Sequence, residues 1–258
     1  MHRGFKVIAK SESWDEKYLD VGKEVRLRQV SRVKRKLSEH VGLNGRLSAD
    51  DIAKQWFPLV KADVFISHSH RDINYALKLS GWLKVEFGIE AFVDSVVWQD
   101  ADKMLRDLDD EWCRLPNGNY QYDKRNGSTS FVHTMLMVAI GEMIDQSECL
   151  FFLKTPSSST AEDIVKKTNE EKTSSPWIYT ELTLSKLIRK KETGRPEVTF
   201  ESLGGDMVMD EIANYFPDYE HKIDVSHLTE LTIETLKRWR RTFTGDGHPL
   251  DALYKVTM

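Results

Sequence analysis

Cysteine is scarce in this chain: Cys113 and Cys149 are the two it has in 258 residues. They are not in CxxC spacing, so neither a disulfide framework nor a cysteine-based metal site is expected, and the pattern suits a reducing compartment. Long apolar runs are missing as well. The longest, such as Cys149-Leu150-Phe151-Phe152-Leu153, are strand-sized, far short of the roughly 20 residues that span a bilayer. No apolar stretch backs the start Met1-His2-Arg3-Gly4-Phe5-Lys6, so secretion is not expected and the expected location is cytoplasmic. A net charge of −4 is too mild to predict a nucleic-acid or membrane partner for the whole chain.

Several chemical signatures are lacking too. There is no GxxxxGK[ST], and Gly204-Gly205 is too isolated to cradle a phosphate. No GxSxG elbow supports a serine nucleophile. His70-Arg71-Asp72 mimics the protein-kinase catalytic tripeptide, but Leu77 stands where that chemistry needs an asparagine. His68 and His70 have no third metal ligand at usable spacing. Asp100 and Asp102 lack the glycine that a calcium loop requires for its sharp turn.

What is present suits an α/β core. Apolar residues make up 40% and there are seven tryptophans, enough for one α/β domain with additions or two small domains. Residues 1–60 read as a helical extension, with Trp14, Tyr18, Val21, Val25, Val30, Val33, Leu37 and Val41 at helical spacing. The opposite face, with Arg26, Arg28, Arg32, Lys34, Arg35 and Lys36, reads as a solvated face rather than a polyanion-binding stripe. From residue 61, Asp63-Val64-Phe65-Ile66-Ser67 predicts a buried strand. Asp72 predicts an N-cap for a helix from Ile73 to Phe87, Gly88 its stop, and Ala91-Phe92-Val93-Asp94 a second strand. Strand, helix, strand with tight junctions is a βαβ unit of a parallel sheet.

A further helix is predicted from Phe131 to Asp145, then a strand from Cys149 to Lys154 and a polar loop from Pro156 to Ser175. Ser175-Pro176 then starts another helix. Counting from Trp177 places Leu184, Leu187 and Ile188 on one stripe, with Glu181 inside it. A carboxylate buried there costs several kcal/mol unless paired or hydrogen-bonded, so it is half of a structural ion pair, a residue at an exposed edge of the stripe, or a functional group. Glu197 to Phe200 and His221 to Val225 suggest fourth and fifth strands, with a closing helix from Leu228 to Phe243 and a tail over 244–258.

Asp63-Val64-Phe65-Ile66-Ser67, Ala91-Phe92-Val93-Asp94 and the pair Trp177 and Glu181 together resemble the Toll/interleukin-1 receptor (TIR) domain family, the last matching the Trp-x-x-x-Glu helix of TIR domains that cleave NAD. The resemblance covers about residues 61–243. It implies a flavodoxin-like fold: a central parallel sheet of about five strands flanked by helices, with the N-terminal extension before it and an insertion at 95–129, where the family's BB loop lies. It also implies cleavage of the N-glycosidic bond of NAD, by hydrolysis to ADP-ribose or by cyclisation to a signal, as in bacterial anti-phage TIR proteins of the Thoeris type. Glu181 would be catalytic; Ser67, His68, Ser69, Asp94 and Trp177 would bind substrate, although for Trp177 ordinary core packing stays open. NAD would be substrate, with no cofactor and no metal. Self-association through TIR surfaces and a trigger or effector protein would be the partners. The chain departs from the family where TIR enzymes carry arginines after the first strand, since Ser69 and His70 stand there. A non-enzymatic TIR adaptor, or a nucleoside hydrolase or transferase of related fold, are the alternatives.

Overall fold

The computed structural model describes residues 1–8, 14–30, 52, 56–93, 95–158, 171–193 and 221–258, without side chains at Val30 and 95–100. Strand β1 (Arg3–Ile8) leads through α1 (Lys17–Val30) to β2 (Val64–Ser67) and, after a 3₁₀ turn at His70–Asp72, to α2 (Ile73–Phe87) and β3 (Ala91–Val93). Then come α3 (Ser95–Leu108), a π-helical turn (Asp109–Cys113), the long α4 (Tyr122–Gln146) and β4 (Cys149–Leu153). Strand β5 (Glu171–Thr173), α5 (Pro176–Leu187), β6 (His221–Ile223), β7 (Leu228–Thr232), α6 (Ile233–Thr242) and α7 (Pro249–Val256) follow.

Five strands form one parallel sheet in the order β3-β2-β4-β1-β7, and β5 pairs antiparallel with β6 in a separate ribbon. Seven described helices flank the parallel sheet, as in a flavodoxin-like fold. From β2 the chain crosses to β3 on one side, while β4 lies on the other, so the order reverses between β2 and β4. In open α/β sheets that reversal leaves a crevice at the strands' carboxyl ends, where ligands bind.

Five expectations are corrected here. Residues 3–8 are not part of a helical extension: they form β1, inserted between β4 and β7. Alternation explains it, since Phe5 and Val7 are fully buried on one face while Gly4 and Lys6 point to the other. The closing helix does not begin at Leu228, because Leu228–Thr232 is strand β7 and Thr232 caps α6 by accepting from the Thr235 N–H. Residues 244–258 are no loose tail, since α7 buries Leu250, Leu253 and Tyr254. His221–Ile223 is a strand, though of the small ribbon, and the expected strand at 197–200 lies outside the described residues. The insertion is largely helical, and α4 begins at Tyr122, upstream of the expected Phe131.

Alternating strand residues divide the core into two layers. One holds Phe5, Val7, Val64, Ile66, Phe151 and Leu153 against α1, α2, α6 and α7. The other holds Phe65, Phe92, Leu150, Phe152 and Leu228 against α3, α4 and α5. Each such side chain contributes about 1.5–3 kcal/mol. In the first layer α1 and α2 cross backbone to backbone: a Cβ on Gly22 would lie 2.0 Å from the Leu77 carbonyl oxygen, and one on Gly81 1.9 Å from that of Tyr18. Helix α2 ends as expected at Gly88, whose φ of 71° suits the glycine stop.

Candidate functional site

The second layer carries the polar groups. Register aligns Ser67 with Phe152, Phe152 with Lys6, and Lys6 with Glu230, so these four form one row across the sheet near its carboxyl ends. Lys6 Nζ lies 3.2 Å from Glu171 Oε1 and 3.1 Å from Glu230 Oε1, and Lys154 Nζ donates to the same Glu171 oxygen at 2.6 Å. Burial works against the Lys6 charge, but the two glutamates more than offset it and lift its pKa above the ordinary lysine value. Ser67 is fully buried, and its Oγ has no hydrogen-bond partner among the described residues.

Helix α5 runs opposite to the strands. It follows β5, whose Glu171 meets Lys6 and Lys154 near the carboxyl edge, and beyond its end the Lys191 N–H reaches the Met1 carbonyl at the amino edge. Ser175 caps it, its Oγ accepting from the Ile178 N–H at 3.3 Å, and Pro176 follows at the first turn, where a missing N–H costs nothing. The buried stripe is Ile178, Glu181, Leu182 and Ser185. Glu181 is therefore inward, at 0% exposure, but the stripe is rotated from the expected one: Leu187 is 67% exposed and Trp177 half-buried. Trp177 packs on the second layer and meets His133 of α4 edge-on, with ring centroids 5.5 Å apart.

One turn after Glu181, about 6 Å along the helix, Ser185 Oγ donates to the Leu182 carbonyl and lies 2.8 Å from His227 Nε2. When the serine proton sits on that carbonyl, the Nε2–H tautomer of His227 donates to Ser185 Oγ. Burial holds His227 below the ordinary histidine pKa. A Ser185 hydroxyl engaged in this way is a poor nucleophile. Cys149 is no better, since burial pushes its thiol up to about 12.

At the crevice, His68 is buried and Ser69 half-buried just before the 3₁₀ turn. Asp72 sits at the N-cap position of α2, but its side chain does not cap; its Oδ2 accepts from Thr155 Oγ1 at 2.5 Å. That bond ties the loop after β2 to the loop after β4, across the reversal point. Asp94 lies outside the described residues. The structure thus places Ser67 and Glu181 in one buried layer, leaves His68 and Ser69 on the crevice loop, and turns Trp177 toward α4. Lys6, Glu171, Glu230, Ser185 and His227 were not foreseen. Lys6 alone had a signal, as a polar residue alternating with Phe5 and Val7.

The insertion carries its own polar core. Asp109, 5% exposed in the π turn, accepts from Arg125 Nε at 2.9 Å and from Ser128 Oγ at 2.5 Å. Beside it lies a cavity of about 470 Å³ lined by Leu108, Trp112, Cys113, Lys124, Ser128 and Phe131 among others. Among the described residues, no helix is long and apolar enough to cross a membrane. Searches of protein-family models, curated proteins and solved structures find no match to this chain.

Proposed function

We propose that this chain is a TIR-type enzyme that cleaves NAD at the nicotinamide–ribose bond, releasing nicotinamide and ADP-ribose or a cyclic ADP-ribose-type signal, with anti-phage defence of the Thoeris type as its setting. The observation that carries the reading is Glu181: a carboxylate at 0% exposure in the middle of α5, inside the layer that also buries Ser67 at the carboxyl end of β2. Nicotinamide leaves as a neutral base, so no acid is needed to expel it. The demand is for negative charge against the oxocarbenium-like ribose, and a carboxylate shielded from water meets it more strongly than one in solvent. The loop Ser67-His68-Ser69 would line the nucleotide, Trp177 would stack on a ring, and Asp94 would contribute from the end of β3.

A carboxylate closed off from solvent also means that substrate reaches it only after something covering it moves. The insertion is the natural gate, and assembly of subunits or a trigger protein the natural cause. The decisive experiment incubates the protein with NAD over a wide range of protein concentration and separates the products by chromatography. Nicotinamide release that rises with concentration, and is abolished by Glu181→Gln, is expected. Activity of that variant within about threefold of wild type would remove Glu181 from the mechanism, and no release at any concentration would leave a TIR scaffold without catalysis.

A further inference from the structure

A second constellation sits at the opposite edge of the sheet, away from Ser67. Glu148 immediately precedes β4, His248 is the N-cap residue of α7, and Asp251 lies in that helix's first turn. One ligand atom from each falls within 4.8 Å of the other two, and all three residues are half-buried. The geometry points to a divalent-cation site built from Glu148, His248 and Asp251, fastening α7 to the sheet.

Four features support it. Glu148 is rigidly placed, its carbonyl accepting from the His2 N–H at 2.6 Å, next to the first residues of β1. Its carboxylate is oriented from behind: the Tyr254 hydroxyl donates to Oε1 at 2.7 Å and lies 2.9 Å from Cys149 Sγ. An outer hydrogen bond of this kind directs a carboxylate's remaining lone pairs toward a metal. His248 makes no side-chain cap bond, and its Nδ1 is buried with no hydrogen-bond partner among the described residues. Finally, Gly245 and Gly247 adopt φ of 97° and 76°, a turn that brings His248 back to the sheet after α6.

One imidazole nitrogen with two carboxylates selects a transition-type ion such as Zn²⁺ or Mn²⁺ over Ca²⁺, which prefers an all-oxygen shell. Donors around a tetrahedral zinc lie about 3.4 Å apart, inside the 4.8 Å within which the three ligand atoms already fall. No sequence spacing could show the site, because a hundred residues separate Glu148 from His248.

The full chain is stripped with EDTA and titrated with ZnCl2, MnCl2 or CaCl2, following heat of binding and melting temperature. One equivalent of Zn²⁺ or Mn²⁺ is expected to bind and raise the melting temperature, with Ca²⁺ far weaker. His248→Ala should weaken binding by more than about a hundredfold, and Tyr254→Phe by about tenfold through the outer hydrogen bond. Should His248→Ala not fold, Asp251→Asn, nearly isosteric at a half-buried position, carries the same expectation. No saturable binding of Zn²⁺ or Mn²⁺, a preference for Ca²⁺, or binding unchanged in the variants would each overturn the assignment.

Discussion

The two faces of the sheet are built to different rules. The face covered by α1, α2, α6 and α7 is dense and aromatic: Trp82, Phe87 and Trp239 pack ring to ring, Phe87 and Trp239 stacked with centroids 3.9 Å apart. The face covered by α3, α4 and α5 buries Lys6, Ser67, Asp109, Glu181 and Ser185, whereas the first face buries fewer polar groups, Gln29 on α1 and Lys78 and Ser80 on α2. Buried charge costs stability unless paired, and Lys6 is paired with Glu171 and Glu230. The difference assigns stability mainly to one layer and the candidate chemistry to the other.

Substitutions can break that division. The largest effect is expected at Gly81, where a Cβ would lie 1.9 Å from the Tyr18 carbonyl oxygen. Gly81→Val should cost more than about 4 kcal/mol, read as loss of soluble folded protein, and normal expression with an unshifted melt would contradict the close crossing of α1 and α2. Next comes Glu181→Gln, which should lower nicotinamide release at least about a hundredfold while shifting the melting temperature by only a few degrees. A melting loss as large as that of Trp239→Ala, for which about 3–5 kcal/mol is expected, would make Glu181 a structural ion-pair partner and erase the contrast between the faces.

Trp177 tests the border of the site. Trp177→Ala should reduce turnover several-fold and Trp177→Phe keep most of it, because an aromatic face is what stacks on a nucleotide ring. If both variants unfold instead, the residue belongs to the packing against His133. The smallest effect concerns acid stability on the aromatic face. Hydrogen bonds from Arg240 and the Tyr18 hydroxyl hold the Glu86 carboxyl below its ordinary pKa. A depressed folded-state pKa stabilises above the unfolded value, near 4.5, and that contribution is lost as pH falls through the lower folded value. Glu86→Gln should therefore reduce stability at neutral pH by under about 1 kcal/mol and flatten its dependence below pH 4.5, in melts taken from pH 7 to pH 3.

Much of the core was legible because local pattern and environment agree. Strands β2, β3 and β4 are short apolar runs covered on both faces, and α2 carries its own stop in Gly88. Strand β1 was missed because Arg3 to Ile8 is short, interrupted by Lys6 and followed by helical periodicity; what makes it a strand is its two distant neighbours. Leu228–Thr232 misled for a related reason, since its apolar residues three apart also fit a helix and only pairing with β1 decides between the two. For the site, the inward carboxylate was legible but the phase of its stripe was not. Trp177 served as the origin of the count, whereas the large ring sits at the edge of the stripe and Ile178 at its centre. Ser185 with His227, and the row through Lys6, depend on strand order, which no local pattern encodes.

The place of β1 in that order has a consequence for how the molecule comes into being. Its partners are β4 on one side and β7 on the other, with Gly4 paired to Leu228 more than two hundred residues later. A ribosome releases β1 long before either neighbour exists. The strand must wait, exposed, until β4 supplies one edge, and it gains its second partner only when β7 has emerged. Such long-range closure slows folding and leaves Phe5 and Val7 open to misassociation meanwhile. Refolding after dilution from denaturant should accordingly be slow for a chain of this size, and chaperone demand should concentrate on the interval before β7 is made.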